Sequence, residues 1–400
     1  MSQRPWGVCI LAAILLWGCG DSLFTSLPPD GETLDGTLDI SPALNASFAR
    51  GDEQFERIFT VADGLGPTFN QPSCETCHSG DGRGTPEMNL TRFSVGGDLV
   101  PALGGPQLQD KGIPGIPPET LPPGAETSVR MAPPVFGMGL IEAIPAATLI
   151  AFEDPDDADG DGISGRVNWV GVADFVPPGV IGAGPGPAVG RFGRKSNISS
   201  ILEQVVNAYQ QDMGITSDFQ PVEPAHPLAA TEPIGDRVPD PEVPATEVND
   251  VVMYVRLLSP PARGENTQDV QRGEILFGQT GCASCHIPTV RTGPNAIPAL
   301  DQVDAHLYSD LLLHDMGPEL ADNRADWLAN GQEWRTSPLW GLRLAPDALG
   351  GQATYMHDGR ATSLDEAIRL HGGESAASRN GFNAFGESDR VALIAFLESL

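Results

Sequence analysis

Two short stretches decide the fold of this chain: Cys74-Glu75-Thr76-Cys77-His78 and Cys282-Ala283-Ser284-Cys285-His286. Each is a Cys-x-x-Cys pair followed directly by histidine, which is the pattern of c-type haem attachment. Thiols about one helical turn apart reach the two vinyl groups at one edge of a haem, and the adjacent imidazole then binds the iron. The sequence therefore predicts two covalently bound haem c groups, one in each half of the chain.

The remaining cysteines limit the alternatives. Outside the two motifs, cysteine occurs only at Cys9 and Cys19, both near the N-terminus. Two short disulfides or one structural zinc site would use the same four thiols. Neither of those needs a histidine directly after the second cysteine in both copies. Haem attachment is therefore the favoured interpretation, and it leaves no free thiol in the mature protein.

Residues 1–19 predict a signal peptide. Arg4 precedes an apolar run from Trp6 to Trp17, which is too short for a comfortable membrane span, and Cys19 follows it. The end of this run resembles a bacterial lipoprotein signal, in which the cysteine is lipidated and becomes the new N-terminus. An ordinary secretory signal and an uncleaved anchor are the alternatives. We expect an exported, periplasmic protein whose membrane attachment is a lipid on Cys19.

The charge of the chain is strongly negative. Asp and Glu number 53 against 23 Lys and Arg, which gives a formal net charge of -30. This balance argues against nucleic acid as a partner, because binding it needs clustered basic residues that neutralise phosphates. The charge would attract a small electron-carrier protein with a basic surface. Its alternative role is only to keep the protein soluble.

The chain has 47 glycines and 37 prolines, which predict extensive loops around short helices. The expected fold class is mainly α, with two cytochrome c-like haem domains. Helical patterns cover 248–258 and 270–277, and the second of these leads into the second motif. The predicted divisions are a signal peptide at 1–19, a flexible tether at 20–50, an N-terminal haem domain at 51–218, a Pro-rich connector at 219–245 and a C-terminal cytochrome c domain at 246–400.

A predicted helix near the C-terminus carries a candidate iron ligand. Ser363-Leu364-Asp365-Glu366 forms a capping-box pattern, and Ala367 and Ile368 belong to the apolar face that follows. His371 lies on the same face, directly before Gly372-Gly373, which ends the helix. A core histidine or a helix-end histidine would fit this position as well. The other candidates for this ligand are His306, His314, Met316, Met356 and His357.

An acidic loop lies in the first half of the chain. Asp157, Asp159, Asp161 and Gly162 match the first six positions of an EF-hand calcium loop. The twelfth position is Asn168 instead of a bidentate glutamate, so a complete EF-hand is not expected. We predict that the three aspartates bind calcium in a looser loop. A solvated acidic turn is the alternative.

Longer blocks of sequence extend the pattern over nearly all of the chain after the tether. They are 130–134, 139–145, 159–166, 190–193, 308–317, 333–336, 355–361 and 371–374. In content and order these blocks resemble the di-haem oxidoreductase family of peroxidase-like proteins, within the bacterial di-haem cytochrome c peroxidase superfamily. Members are also labelled thiol oxidoreductases. That label fits this chain poorly, because both cysteine pairs outside the leader belong to haem motifs.

The resemblance implies two haems with different roles. In the superfamily the C-terminal haem is low-spin and relays electrons, whereas the N-terminal haem has an open face where peroxide binds. The sixth ligand of the C-terminal haem falls after the helix that follows the Tyr-x-His-x-Gly block. His371 occupies that position, where the peroxidases have methionine. Two imidazole ligands would lower the potential of this haem relative to a histidine and methionine pair.

The first haem has few candidate partners. His226, in the connector, is the only histidine between His78 and the second motif. Met88, Met131 and Met138 remain as sulfur ligands, so an open face at this haem is an expectation with alternatives.

Peroxide cleavage needs an acid/base group and electrostatic help for the departing oxygen. We predict Glu142 as the catalytic acid, with Gln107 as its polar neighbour, and Arg130 as a partner of a haem propionate. A helix-start carboxylate and a surface amide are the alternatives for the first two.

The chain departs from the family pattern at Arg194, where relatives commonly have Trp after Gly-Arg-Phe-Gly. If that aromatic residue carries electrons between haems in relatives, Trp334 and Trp340 are its substitutes here. The leading hypothesis is an enzyme that reduces hydrogen peroxide with electrons from a small carrier. A di-haem electron-transfer cytochrome and an oxidase of a protein or organic partner are the alternatives.

Overall fold

The computed structural model of the protein describes residues 34, 36–179, 186–224, 235 and 237–400. The predicted signal peptide, Cys9, Cys19, His226 and parts of the tether and connector lie outside these residues. Within them no helix is long and apolar enough to cross a membrane. The helices are α1 (Pro42–Glu56), α2 (Cys74–Cys77), α3 (Met138–Ala143), α4 (Ala146–Ile150), α5 (Ile201–Met213), α6 (Ala245–Leu257), α7 (Gln268–Gln279), α8 (Ala345–Ala348), α9 (Leu364–Leu370), α10 (Ala376–Ala384) and α11 (Glu387–Leu397).

Among the described residues, the strands are short and form five two-stranded antiparallel sheets. They are β1 (Thr68–Phe69), β2 (Leu90–Ser94), β3 (Lys111–Gly112), β4 (Glu126–Arg130), β5 (Trp169–Val170), β6 (Ala188–Val189), β7 (Val290–Arg291), β8 (Asp304–Ala305), β9 (Leu313–Asp315) and β10 (Glu333–Arg335). The pairs are β1 with β3, β2 with β4, β5 with β6, β7 with β8 and β9 with β10. Helices joined by long loops confirm the expected mainly α class.

The helix ends follow local sequence signals. Ser200 begins α5, where its hydroxyl accepts a hydrogen bond from Glu203 N (3.2 Å). Ser363 begins α9 in the same way, accepting from Glu366 N (3.1 Å). The carboxylate of Glu366 accepts from Thr362 N (2.7 Å), so the predicted capping box closes one residue earlier than expected. The predicted helices over 248–258 and 270–277 are confirmed as α6 and α7.

Each haem motif follows a helix that packs against a later helix. Before the first motif α1 packs on α6, and before the second motif α7 packs on α11. Phe55 lies 5.3 Å from Tyr254 in the first pair, and Phe277 lies 5.2 Å from Phe396 in the second. The chain therefore contains the same helix arrangement twice, around two hydrophobic clusters.

Helix α6 begins at the predicted boundary 245/246 and packs on helices of the first half, and the domain division itself stays a prediction. Val248, Val251 and Val252 of this helix belong to the larger hydrophobic cluster, which draws residues from both halves of the chain. The helix also packs on α5 and α3. The division between the two helix pairs falls in the segment between α6 and α7. A Pro-rich composition marks a change in chain character, but it does not determine which helices pack together.

Candidate haem-binding site

One large cavity is lined by both Cys-x-x-Cys-His motifs. It encloses about 2680 Å³ of space free of protein atoms, part of which is open to solvent. Residues of α5, residues of the 333–336 block and His371 also line it. The fold thus brings two motifs more than 200 positions apart in sequence to one cavity.

The first motif lies on α2, a single helical turn. Ser73 begins it by accepting a hydrogen bond from Thr76 N (3.2 Å). Cys74 and Cys77 form no disulfide, and burial raises the pKa of both thiols to about 12. Burial also lowers the pKa of His78 to about 4, so the imidazole is neutral at neutral pH. A neutral imidazole beside two unpaired thiols is the donor set that a c-type haem requires.

The second motif forms a 3₁₀ turn at Cys282–Ser284. Its thiols are also unpaired. His286 Nδ1 donates to Tyr308 O (2.9 Å), which leaves Nε2 as the nitrogen with a free lone pair. Phe277 lies 6.2 Å from the His286 ring, as Phe55 lies 6.1 Å from the His78 ring. Each motif histidine therefore has the same kind of neighbour, a phenylalanine of the helix that precedes the motif.

His371 lies at the end of α9 and lines the cavity. Its Nδ1 donates to Ala367 O (2.8 Å), which leaves Nε2 available, as in His286. The charge of a protonated His371 would lower the pKa of His286, so the two rings are near neighbours. Two such imidazoles in one part of the cavity are suited to hold one iron between them.

Two of the five competing residues are less suited to bind the iron than His371. His314 contacts Asp310 and Glu374 through its two ring nitrogens, at 2.9 Å each. Although burial opposes it, these contacts raise the pKa of His314 to about 12, so the ring is protonated and has no lone pair for a metal. His306 contacts Thr289 Oγ1 (2.7 Å) and does not line the cavity. Met316, Met356 and His357 do line it.

Four guanidinium groups line the cavity without a described carboxylate partner, and three of them donate hydrogen bonds to backbone carbonyls. These three are Arg83, Arg194 and Arg335, and no described carboxylate forms an ion pair with any of them. The latter two are buried, and Arg83 is half-buried. An uncompensated buried charge is unfavourable, so such a cluster favours the binding of anions. Haem carries two propionate carboxylates, so the cluster and the donor set of the motifs both fit two haems.

The structure does not bring Glu142 to the cavity. One of its carboxylate oxygens pairs with Arg256 Nε (2.7 Å), and the other accepts from Ile201 N (2.8 Å) at the start of α5. These contacts join α3, α5 and α6. Arg130 likewise does not line the cavity, because its guanidinium pairs with Asp326 and lies 3.8 Å from Asp322.

Gln107 lies near the first motif but acts through another residue. Its amide donates to Asn70 Oδ1 (2.8 Å) and to the carboxylate of Asp212. Asp212 itself lines the cavity, and its charge raises the pKa of Cys74 and Cys77. Burial raises the pKa of Asp212 to about 6. A carboxyl group that titrates near neutral pH beside a haem motif is suited to move protons.

Sequence reasoning missed Asp212, although a signal was present. On α5, Val205, Ala208 and Asp212 follow one another at helical spacing, and all three line the cavity. A carboxylate that continues an apolar helix face is unusual and marks a functional position. The cavity role of Arg83 and Arg335 was also missed, because no local pattern distinguishes them from surface arginines.

Of the three methionines considered as ligands of the first haem, only one lines the cavity. This is Met138. Met88 Sδ accepts from Gln71 Nε2 (3.0 Å), and Met131 is fully buried beside Thr354. Trp334 and Trp340 both line the cavity, and the Trp334 ring stacks on His357 at 3.6 Å.

The acidic loop differs from its prediction. The carboxylate oxygens that lie within 4.8 Å of one another belong to Asp154, Asp157 and Asp159. Asp161 is not among them, and its carboxylate accepts from Ile163 N (2.9 Å). The reason is that the turn folds back on Asp154, whose two carboxylate oxygens accept hydrogen bonds from Ala158 N and Asp159 N. Calcium binding at this loop stays a prediction.

Comparison with known proteins agrees with the site. A family model described as "Di-haem oxidoreductase, putative peroxidase" matches residues 124–400, which include the second motif and His371. The chain belongs to this di-haem oxidoreductase family, so its cofactors are haems.

No curated protein matches the chain. Among solved structures, it is similar to hydrazine synthase of Kuenenia stuttgartiensis, with 15% identity, a TM-score of 0.39 and all of both chains covered. It is also similar to a MauG-like protein associated with microbial copper homeostasis, with 14% identity and a TM-score of 0.31 over 66% of this chain and 88% of the other.

Proposed function

We propose that this protein is an exported di-haem c-type oxidoreductase that reduces hydrogen peroxide at the first haem, with electrons relayed by the second. The overall reaction takes up two electrons and two protons for each peroxide and yields two waters. The observation that carries the proposal is the difference between the surroundings of the two motif histidines. His286 has His371 as a neighbour, whereas the charge that acts on His78 is that of Arg194.

The chain's own residues would hold the two cofactors. Cys74 and Cys77 would form thioether bonds to the first haem, and Cys282 and Cys285 to the second. Bound haem supplies an iron that binds a small oxidant and exchanges electrons. His286 and His371 are each fixed through Nδ1 by a backbone carbonyl, so both would hold the second iron through Nε2. This arrangement suits electron relay.

Asp212 supports a proton-transfer role at the first haem. Its carboxyl group is held by Gln107 and has a pKa raised by burial to about 6, so it is largely ionised at pH 7. A carboxylate there accepts a proton from peroxide and returns it to the departing oxygen. We therefore propose Asp212 in place of Glu142 as the acid/base group, with Gln107 as its positioning residue.

The donor is proposed to be a small electron-carrier protein with a basic surface, because the net charge of this chain is -30. The location is proposed to be the periplasm, with attachment to a membrane through lipid on Cys19.

The first experiment is low-temperature EPR of the haem-loaded protein, both oxidised and half-reduced. We expect one low-spin haem and one haem with a high-spin signal that disappears when peroxide is added. Two low-spin haems in both states, unmoved by peroxide, would overturn the proposal and leave an electron-transfer cytochrome. Turnover of an organic or protein partner without any carrier would favour an oxidase instead.

Asp212→Asn tests the proton-transfer role. Peroxide turnover should fall about 100-fold or more, the usual cost of removing an acid/base group. Wild-type turnover should rise with pH through about 6, because the ionised carboxylate is the active form, and the variant should lack this rise.

Glu203→Gln is the matched control. Glu203 is also on α5 and has a pKa raised by burial to about 7, but it does not line the cavity. Its variant should keep wild-type turnover. Equal turnover in Asp212→Asn and wild type would exclude Asp212 from the reaction.

A further inference from the structure

Arg83, Arg194 and Arg335 converge on the cavity from three separate parts of the chain. Their hydrogen bonds to protein go to backbone carbonyls and not to carboxylates. The bonds are Arg83 Nη1 to Thr354 O (3.2 Å), Arg194 Nε to Met131 O (3.0 Å) and Arg335 Nη1 to Arg191 O (2.6 Å). Backbone carbonyls orient a guanidinium but carry no charge that balances it.

The cluster is electrostatically unfavourable as it stands. Burial, followed by the charges of Arg83 and Arg335, lowers the pKa of Arg194 to about 9. Burial alone lowers the pKa of Arg335 to about 10. All three groups remain protonated at neutral pH, so the cluster holds close to three positive charges. The charge of Asp358 acts on Arg194, but no described carboxylate forms an ion pair with any of the three. A folded protein keeps such a cluster where an anion arrives to balance it.

We propose that Arg83, Arg194 and Arg335 form a carboxylate-binding cluster that holds haem propionates between the two motifs, with Arg194 acting on the first haem. The inference rests on the proposed haem attachment but not on peroxide reduction. A guanidinium presents paired N–H groups that match a carboxylate, and Arg194 uses only part of its set on backbone carbonyls.

The backbone places Arg194 at the cavity through a tight turn. Gly193 has φ +78°, and Ser196 N donates to Gly193 O (3.4 Å) to close the turn. A Cβ at Gly193 would lie 2.2 Å from Asn197 Oδ1, and the left-handed φ by itself disfavours any other residue there. Residue 194 is therefore directed by the turn. Its guanidinium donates to Ala132 O (3.4 Å), the carbonyl that also accepts from Gly84 N (3.0 Å) in the segment after the first motif.

The position of Arg194 has a consequence for electron transfer. A positive charge beside a haem favours the reduced iron, which carries one charge less than the oxidised iron. Arg194 should raise the midpoint potential of the first haem and keep its propionate ionised. In relatives with Trp at this position the same place would hold an uncharged ring.

The test uses the full-length haem-loaded protein and its midpoint potentials. Each haem is titrated by spectroelectrochemistry from about pH 5 to about pH 9, a range that spans propionate and histidine ionisation. In Arg194→Gln we expect a lower potential at the first haem and a new pH dependence, because its propionate then takes up a proton within this range. Arg335→Gln should shift a potential in the same direction, and Arg194→Lys should shift it less.

Arg191→Gln is the matched control. Arg191 belongs to the same segment, is buried, and donates to the carbonyls of Ile141 and Glu142, but it does not line the cavity. Its variant should leave both potentials unchanged. Unchanged potentials in Arg194→Gln and Arg335→Gln at full haem content would overturn the inference.

A free anion is the other source of a carboxylate. Formate added to the wild-type protein should cause no spectral change, because propionates already fill the cluster. A saturable change in wild type that Arg194→Gln abolishes would show that the cluster takes free anions and would reject the propionate assignment. A wild-type protein without covalent haem would instead contradict the proposed function.

Discussion

Glu374 is the residue that connects the second haem site to the first half of the chain. It lies three positions after His371, and its carboxylate accepts from Ser164 Oγ (2.7 Å), Ser164 N (3.1 Å) and Asp315 N (3.3 Å). It also contacts His314 Nδ1 at 2.9 Å. Although burial opposes ionisation, the bonds from His314 and Ser164 lower the pKa of Glu374. Glu374 therefore ties the segment that follows His371 to β9 and to the loop at Ser164.

Replacing Glu374 by Gln should loosen His371 while leaving both haem motifs intact. Loss of a charged acceptor of several hydrogen bonds should reduce the free energy of unfolding by about 2 kcal/mol. EPR should show part of the second haem passing from low-spin to high-spin.

Asp365→Asn is the comparison for Glu374→Gln. Asp365 lies on α9 before His371, and its exposed carboxylate pairs with Arg369. Loss of this exposed pair should change the stability little and leave the spin state unchanged. A wholly low-spin second haem in Glu374→Gln would show that other contacts fix His371.

At the scale of elements, each of the two helix pairs crosses at a glycine. A Cβ at Gly51 of α1 would lie 2.1 Å from Asp250 O of α6, and a Cβ at Gly273 of α7 would lie 2.0 Å from Ala392 O of α11. Four positions later in each helix stands the aromatic residue beside the motif histidine, Phe55 or Phe277. The close crossing therefore determines where each histidine lies.

Gly51→Ala and Gly273→Ala should each destabilise the protein, because the backbone carbonyl that the new methyl group meets cannot move without separating the helices. The loss should be about 1–3 kcal/mol or more in chemical denaturation. Gly278→Ala, on α7 with open space around its Cα, should be neutral or stabilise by about 0.4–1 kcal/mol. Equal stability of all three variants would mean that the helices do not cross so closely.

At the scale of the whole molecule, the arginines at the cavity contrast with the acidic character of the chain. Arg194 and Arg335 are buried at the cavity, whereas the chain as a whole carries a net charge of -30. The field outside the protein is thus that of an acidic surface, which attracts a basic partner over a distance set by salt.

Reduction by a basic electron carrier should slow as ionic strength rises. Between about 10 mM and about 150 mM salt, the second-order rate constant should fall roughly tenfold or more, because the Debye length shortens from about 30 Å to about 8 Å. Stopped-flow measurement of haem reduction checks this. An uncharged small reductant should show no such dependence, and an equally flat response with the basic carrier would argue against electrostatic steering.

Contiguous residues determined the class of this protein. The two Cys-x-x-Cys-His pentapeptides predict haem attachment because all the necessary chemistry lies within five neighbouring positions. The later blocks resemble a family to which the matched region, 124–400, does belong. Helices α6, α7 and α9 were also predicted, since helical spacing and capping are local properties.

Only the tertiary structure decided which distant residues meet. It placed Asp212 and the three arginines at the cavity, put Glu142 between α5 and Arg256, and packed α6 on α1 and α5. These outcomes depend on contacts between residues far apart in sequence, and no local sequence pattern indicates them. The same reason explains Asp154, which replaced Asp161 because the loop folds back on it. Local chemistry is encoded in neighbouring residues, whereas the environment that selects among equivalent polar side chains exists only in the folded protein.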